Sequence, residues 1–325
     1  MKAVSRRRLL QGTALALGAC TLPAFAQAGY PDRPIKLVVP FPAGALTDTL
    51  GRMVAEKLRP VLGQPIVVEN RPGAGTLLGA SQVAKSAPDG YTLIVATSTT
   101  LAIAPAMFTT PPAVAADFIG VAMIGNVTLL LVTRPDLKAR TLAELVALLR
   151  AQPSRYNFGS PGNGTMHQLL VEMIKTQEKV HATHVPYQGS MGALSDLMTG
   201  RIDFMFIDAV AGLPQIQAGK VNVIAVAGAR RHPTLPQVAT VAETYPRIDM
   251  FAWQTIAAPK ATPLALVNRL NAEINKLLDT PEMHAALQRV GVEASPMSVA
   301  ALNELIASDE KRFGDLVRAV GVKAN

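Results

Sequence analysis

The sequence predicts an α/β protein of two lobes, each a sheet covered by helices, joined by strands that cross between them. Three observations point there. Short β-rich runs alternate with helix-period segments along most of the chain, the pattern of parallel sheets with helices on both faces. The length, 325 residues, suits about two domains of ordinary size. No internal repeat or low-complexity linker intervenes, so the chain should pass between lobes through strands, with 124–133 and 251–257 as candidate crossings. The expected limits are 27–125 plus 250–325 for the first lobe and 126–249 for the second.

Each element has a local cause. Residues 35–39 form a β-rich run stopped by Pro40. In 47–62, Leu50, Met53, Val54 and Leu58 make one apolar helix stripe, ended by Gly63. A strand at 66–69 leads into the turn Asn70-Arg71-Pro72-Gly73. A helix is expected at 77–87, and strands at 91–96, 118–124 and 128–133. Thr141 and Glu144 have capping-box spacing and open a helix to Arg150; Thr165 and Gln168 repeat it after a strand at 156–159. A strand at 180–185, a helix at 190–199 and strands at 202–207, 221–227 and 251–257 follow. Thr262-Pro263 and Thr280-Pro281 each open a helix, since proline suits the first helical position. Ser298 opens the last one, which carries Leu302, Leu305, Ile306, Phe313, Leu316 and Val317.

Composition excludes several classes. At 49% hydrophobic and 17% charged, the chain is not a disordered one. A single cysteine rules out a disulfide scaffold and a Cys-based zinc finger. The formal net charge of +8 admits nucleic acid, an anionic membrane or an acidic ligand as partner. Its location narrows the choice. Arg6, Arg7 and Arg8 precede an apolar stretch over 9–19 that is too short to span a bilayer. Ala24-Phe25-Ala26 fits the small-x-small rule for cleavage before Gln27, so residues 1–26 read as an export signal, removed on maturation. Ser5-Arg6-Arg7-Arg8-Leu9-Leu10 has the order of a twin-arginine signal. Leu17-Gly18-Ala19-Cys20 offers lipidation of Cys20 as the lesser alternative. Cleavage takes four basic residues and no acid, leaving 27 against 23 and a charge of +4. The expected location is the periplasm.

Several motifs are weak. Gly73-Ala74-Gly75-Thr76-Leu77-Leu78-Gly79 has dinucleotide-like spacing, but no acid stands near Ala96, where a ribose would need one. It reads as a tight turn into a helix, and no cofactor is expected. Ser160 lacks a G-x-S-x-G setting, because Phe158 takes the first glycine's place. His181 and His184 would face opposite sides of a strand, so no metal is expected. Arg230-Arg231-His232 has no interleaved aromatics, which argues against a nucleic-acid partner.

Three loops say more. Pro40-Phe41-Pro42-Ala43-Gly44-Ala45-Leu46-Thr47-Asp48 runs from a strand end into a helix start. Gly159-Ser160-Pro161-Gly162-Asn163-Gly164-Thr165 and Pro186-Tyr187-Gln188-Gly189-Ser190 do the same in the second half. Free N–H groups and the positive end of the helix dipole make such places anion sites. In open α/β sheets the ligand crevice lies outside the carboxyl ends of the strands. An anion-facing cleft is therefore expected.

The same loops carry a resemblance. Tyr30-Pro31-Asp32-Arg33-Pro34-Ile35, Val39-Pro40-Phe41-Pro42-Ala43-Gly44, Val68-Glu69-Asn70-Arg71-Pro72-Gly73-Ala74-Gly75 and Pro88-Asp89-Gly90-Tyr91-Thr92-Leu93 come in order. The Gly159 to Thr165 loop with His167, Val185-Pro186-Tyr187-Gln188-Gly189, and Asp196-Leu197 through Gly200 to Asp203 follow. Together they cover nearly the whole chain after residue 30. It resembles the Bug-type substrate-binding receptors of tripartite tricarboxylate transporters. The resemblance implies a two-lobed periplasmic binding protein, type II-like, that closes on a small carboxylate. Ligand-binding positions carried over are Phe41, Ala43, Gly44, Ala45, Asp48, Thr97 and Ser98 in the first lobe. In the second they are Ser160, Gly162, Gly164, Thr165, His167, Tyr187 and Asp208. The family usually has two glycines where this chain has Gly44-Ala45, so the Ala45 methyl is expected to restrict the backbone and narrow the pocket floor.

The function expected is capture of a small organic carboxylate for delivery to the membrane permease subunits of such a transporter. The protein is expected to be a monomer and not an enzyme. Presentation of the ligand to a histidine kinase is the alternative, and an extracytoplasmic hydrolase the one after it.

Overall fold

The computed structural model describes residues 29–323. The predicted export signal, its cleavage site and Cys20 lie outside the described residues. In the first part of the chain come β1 (Ile35–Val39), α1 (Leu46–Leu62), β2 (Ile66–Asn70), α2 (Leu77–Ala84), β3 (Thr92–Thr97) and β4 (Phe118–Val127). Then follow β5 (Leu129–Thr133), α3 (Leu142–Ala151), β6 (Asn157–Ser160), α4 (Met166–Glu178), β7 (Thr183–Pro186) and α5 (Ser190–Met198). Next are β8 (Phe204–Asp208), α6 (Ala209–Gln217), β9 (Asn222–Val226), α7 (Val241–Thr244) and β10 (Ala252–Pro259). The chain ends in α8 (Leu264–Leu278), α9 (Pro281–Arg289), β11 (Val292–Ala294) and α10 (Val299–Val320).

The strands form two sheets, one of six in the order β11-β4-β10-β3-β1-β2, the other of five in the order β7-β6-β8-β5-β9. The chain changes sheet twice, at Thr128 between β4 and β5 and again between β9 and β10. Both sheets are mixed, which corrects the parallel sheets expected from the alternation. β1 pairs in parallel with β2 and β3, and β6 with β7 and β8. The strands that enter from the other sheet run antiparallel: β10 against β3 and β4, and β5 against β8 and β9. A right-handed helical crossover is what keeps successive strands parallel. A strand arriving from the other lobe has no such crossover, and its direction is free.

Burial follows the strand pattern. Every residue of β5 and β10 is buried, the continuous apolar run of a strand covered on both faces. Trp253, Phe158, Phe204, Phe206 and Phe313 are the bulkiest fully buried side chains. α8 and α10 pack on β4, so the C-terminal helices return to the first sheet, and α10 also reaches α4 beyond it. Among the described residues no helix is long and apolar enough to cross a membrane.

Three elements escaped the sequence: α6, β11 and the single-turn α7, which Thr240 and Glu243 cap reciprocally. α6 contains Gly212 and Pro214, both poor helix residues, so its local propensity is low. Packing decides it: a Cβ on Gly212 would lie 2.9 Å from Ile207 Cγ2, so only glycine lets the helix sit this close to β8. β11 is three residues long and pairs with β4 at Gly125, where a Cβ would fall 2.3 Å from the Glu293 carbonyl oxygen. A glycine inside a strand pattern was the available sign of that close approach.

Candidate functional site

The βα loops that follow β1, β3, β6 and β7, with the end of β8, lie at the carboxyl edges of the two sheets. The β1–α1 loop is held from within. Asp48 accepts hydrogen bonds from the Gly44 N–H (2.9 Å), Arg52 Nε (3.1 Å) and Asn70 Nδ2 (2.9 Å). Asn70 Nδ2 also donates to the Phe41 carbonyl (3.1 Å), and the Ala45 N–H donates to the Pro42 carbonyl (3.2 Å). Asp48 is 3% exposed, yet these hydrogen bonds and the Arg52 charge hold its carboxyl below the usual range against the upward push of burial. Asp48 thus builds the loop, and the Gly44 and Ala45 N–H groups, expected to face a ligand, already have partners. At the start of α1 the N–H groups of Leu46, Thr47 and Asp48 have no carbonyl one turn back. Ala43 is exposed and Phe41 half-buried at the loop's rim.

Ala45 is unstrained. Its φ of −68° and ψ of 160° are ordinary extended values, so its methyl imposes no backbone cost, contrary to the expected restriction.

After β3, Thr97 and Ser98 differ. Thr97 Oγ1 accepts the Thr100 N–H at 3.2 Å and so caps the tight turn over Thr99–Ile103. Ser98 is 1% exposed, and its hydroxyl has no hydrogen-bond partner among the described residues. Thr76 shares that condition and was missed by the sequence reading. It ends three successive left-handed residues, Ala74 (φ 47°), Gly75 (φ 61°) and Thr76 (φ 85°). Left-handed backbone costs a β-branched residue about 1–3 kcal/mol, and such strain concentrates at binding sites. The glycine-rich Gly73 to Gly79 motif was the signal, and the failed dinucleotide comparison hid it.

In the second sheet, the loop after β6 is closed on itself. Thr165 Oγ1 accepts the Gln168 N–H (3.4 Å) and donates to the Gly162 carbonyl (2.9 Å). Gln168 Oε1 accepts the Gly164 N–H (2.8 Å), one residue earlier than a standard capping box. Because Thr165 caps α4, Thr165→Ala is expected to lower stability by about 1 kcal/mol and Thr165→Ser to stay near wild type, read by urea unfolding. Equal loss in both would mean the hydroxyl does not cap.

Ser160 Oγ lies 2.7 Å from His184 Nε2, a contact sequence separation concealed. It is not a nucleophile–base pair. The Ser160 hydroxyl donates to the Gly162 carbonyl (2.9 Å), so the imidazole is left to donate to Ser160. Ser160 is fully buried, and His184 stacks on Phe158. Burial, then the nearby Lys175 charge, pulls the His184 pKa down to about 4 from the ordinary 6.5. The unfolded chain therefore takes up a proton near pH 6.5 that the folded chain refuses until about pH 4. The contribution of neutral His184 is full above pH 6.5 and is lost as pH falls toward 4. Between pH 7 and 4.5, wild type should lose more thermal stability than His184→Gln; parallel melting curves would refute this. His181 is exposed and shares no site with His184.

Tyr187 is also committed. Its hydroxyl donates to Asp196 Oδ2 (2.8 Å), and burial with that bond pushes its pKa up to about 12. The ring lies over Gly159 and Gly192. His167 and Asp208 are different. His167, in the first turn of α4, is 9% exposed, and neither ring nitrogen has a hydrogen-bond partner among the described residues. Its Nε2 stands 3.4 Å from Asp208 Oδ1 without hydrogen-bond alignment. Asp208 ends β8 and accepts a bond from Ser190 Oγ at 3.3 Å.

The two halves meet at these loops. A Cβ on Gly75 would lie 3.6 Å from the Asn163 carbonyl oxygen. One on Gly164 would fall 2.0 Å from Met107 Sδ, so the turn after β3 is keyed into the loop after β6. A polar cavity of about 360 Å³ lies behind that loop, lined by Asn163, Gln168, Glu172, His184 and the end of α10.

Comparison with known proteins places this arrangement. The profile of the tripartite tricarboxylate transporter family receptor matches residues 50–322. The chain is 35% identical over 297 residues to protein BugT of Bordetella pertussis, covering 90% of this chain and 91% of that one. The solved structure of Rhodopseudomonas palustris Rpa4515 with adipate is similar at a TM-score of 0.84 and 32% identity, over 90% of this chain and 99% of that one. MatC from the same organism, with bound malate, is similar at a TM-score of 0.81 and 31% identity, over 89% and 100%. On both sequence and fold, the chain belongs to the receptor family of the tripartite tricarboxylate transporters.

Proposed function

We propose that this protein is a periplasmic receptor that captures a small organic carboxylate between its lobes and passes it to membrane permease subunits. One observation carries the reading. Loops from the two sheets meet at a seam where Gly75 approaches Asn163 and Met107 abuts Gly164, and Ser98, Thr76 and His167 in those loops and the helix starts beside them are buried with no hydrogen-bond partner among the described residues. N–H groups at helix starts hold an anion without a mobile counter-charge. The adipate and malate bound to two relatives support a carboxylate as that anion. The lobes run over 27–125 plus 250–325 and over 126–249. The carboxylate site draws on Phe41, Ser98, Thr165, His167 and the first N–H groups of α1. Export follows the twin-arginine route, and the receptor acts as a monomer.

The test is thermal unfolding of the purified protein against mono-, di- and tricarboxylates, with sugars and amines as controls. A ligand at a hundred times its Kd stabilises by about 2.7 kcal/mol, a readable shift. No shift with any carboxylate at millimolar concentration would sink the proposal.

A further inference from the structure

We infer that His167 and Asp208 select ligands that carry a hydrogen-bond donor, a hydroxyl or ammonium, beside the carboxylate. This rests on the receptor reading above and sharpens it. The two carboxylates in the candidate site loops are unlike. Asp48 is saturated by Gly44, Asn70 and Arg52 and faces an opposite charge. Asp208 receives one long bond from Ser190, and no Lys or Arg among the described residues forms an ion pair with it. Its Oδ1 accepts no hydrogen bond among the described residues.

His167 stands beside that oxygen at 9% exposure, and among the described residues neither of its nitrogens has a hydrogen-bond partner. A buried imidazole always carries at least one N–H, and leaving it unpaired is costly. Both side chains come from the carboxyl edge of the second sheet, His167 from the first turn after β6 and Asp208 from the end of β8. A second ligand carboxylate placed there would meet the Asp208 charge. A hydroxyl instead donates to Asp208 Oδ1 and accepts from the imidazole N–H. An ammonium donates to Asp208 and to the bare nitrogen of the ring.

Calorimetry with matched acids at three chain lengths tests this: propionate, lactate and alanine; succinate, malate and aspartate; glutarate, 2-hydroxyglutarate and glutamate. In the series that binds tightest, the hydroxy or amino acid should bind at least tenfold better than the plain acid. The member that gains identifies the donor. Asp208→Asn should cut that ratio below about threefold without weakening the plain acid, a change that a merely structural role would not produce. Plain and substituted acids within threefold of each other, or a ratio unmoved in Asp208→Asn, would overturn the inference and leave the receptor reading standing. Binding of no carboxylate at all would overturn both.

Discussion

Replacing Gly164 with alanine is expected to weaken ligand capture at least tenfold while each lobe stays folded. Two costs act together. Gly164 has φ of +72°, and a left-handed residue with a side chain costs about 1–2 kcal/mol of stability. The new Cβ would also fall 2.0 Å from Met107 Sδ, 3.0 Å from its Cε and 3.7 Å from its Cγ. Met107 is 7% exposed, so it has little room to retreat. In the receptor proposed above, parting the lobes would relieve the clash and so oppose enclosure of a ligand. Met107→Ala in the same chain removes the clash and keeps the backbone cost, so it should restore part of the affinity. Calorimetry with the tightest carboxylate decides it. Unchanged affinity in Gly164→Ala would remove the seam from ligand capture.

The largest loss of stability is expected from Trp253→Ala, about 3–5 kcal/mol. Trp253 is fully buried on β10, the strand by which the chain returns to the first sheet. Its indole Nε1–H donates to Asp309 Oδ2 at 2.7 Å, tying β10 to α10. Asp309 is 5% exposed, and burial pushes its carboxyl above the usual range. Truncation leaves a cavity and removes a hydrogen bond that, with the nearby Arg312 charge, partly offsets the burial of that carboxyl. For a chain of this size the melting midpoint should fall by roughly 10 °C. Trp253→Phe keeps most of the volume and loses the bond, so it should fall between the two. A shift of a degree or two in the alanine variant would mean that the β10–α10 tie holds little.

The elements with strong local causes were legible. The stripe of α1 and its Gly63 stop, the Thr165 cap and the Thr280-Pro281 start depend on residues within a turn of one another. Strand direction was not legible, because β10 reads the same whichever way its neighbours run. Nor was the state of each site residue. Gly44, Ala45, Asp48, Ser160 and Tyr187 look like ligand groups in a motif, yet their polar atoms are taken up inside the protein. Ser98, Thr76 and His167 keep theirs unpaired among the described residues.

The sequence by itself determined the α/β class, the family and the loops at which helices begin, because capping, glycine and periodicity act over a few residues. Tertiary structure alone decided which polar groups in those loops remain to be used. A hydrogen-bond partner such as Asn70 for Asp48 or His184 for Ser160 is 22 or 24 residues away, and the seam joins Met107 to Gly164 across two sheets. Whether a donor is spent or free depends on what the fold brings within 3 Å of it, and no local pattern records that distance.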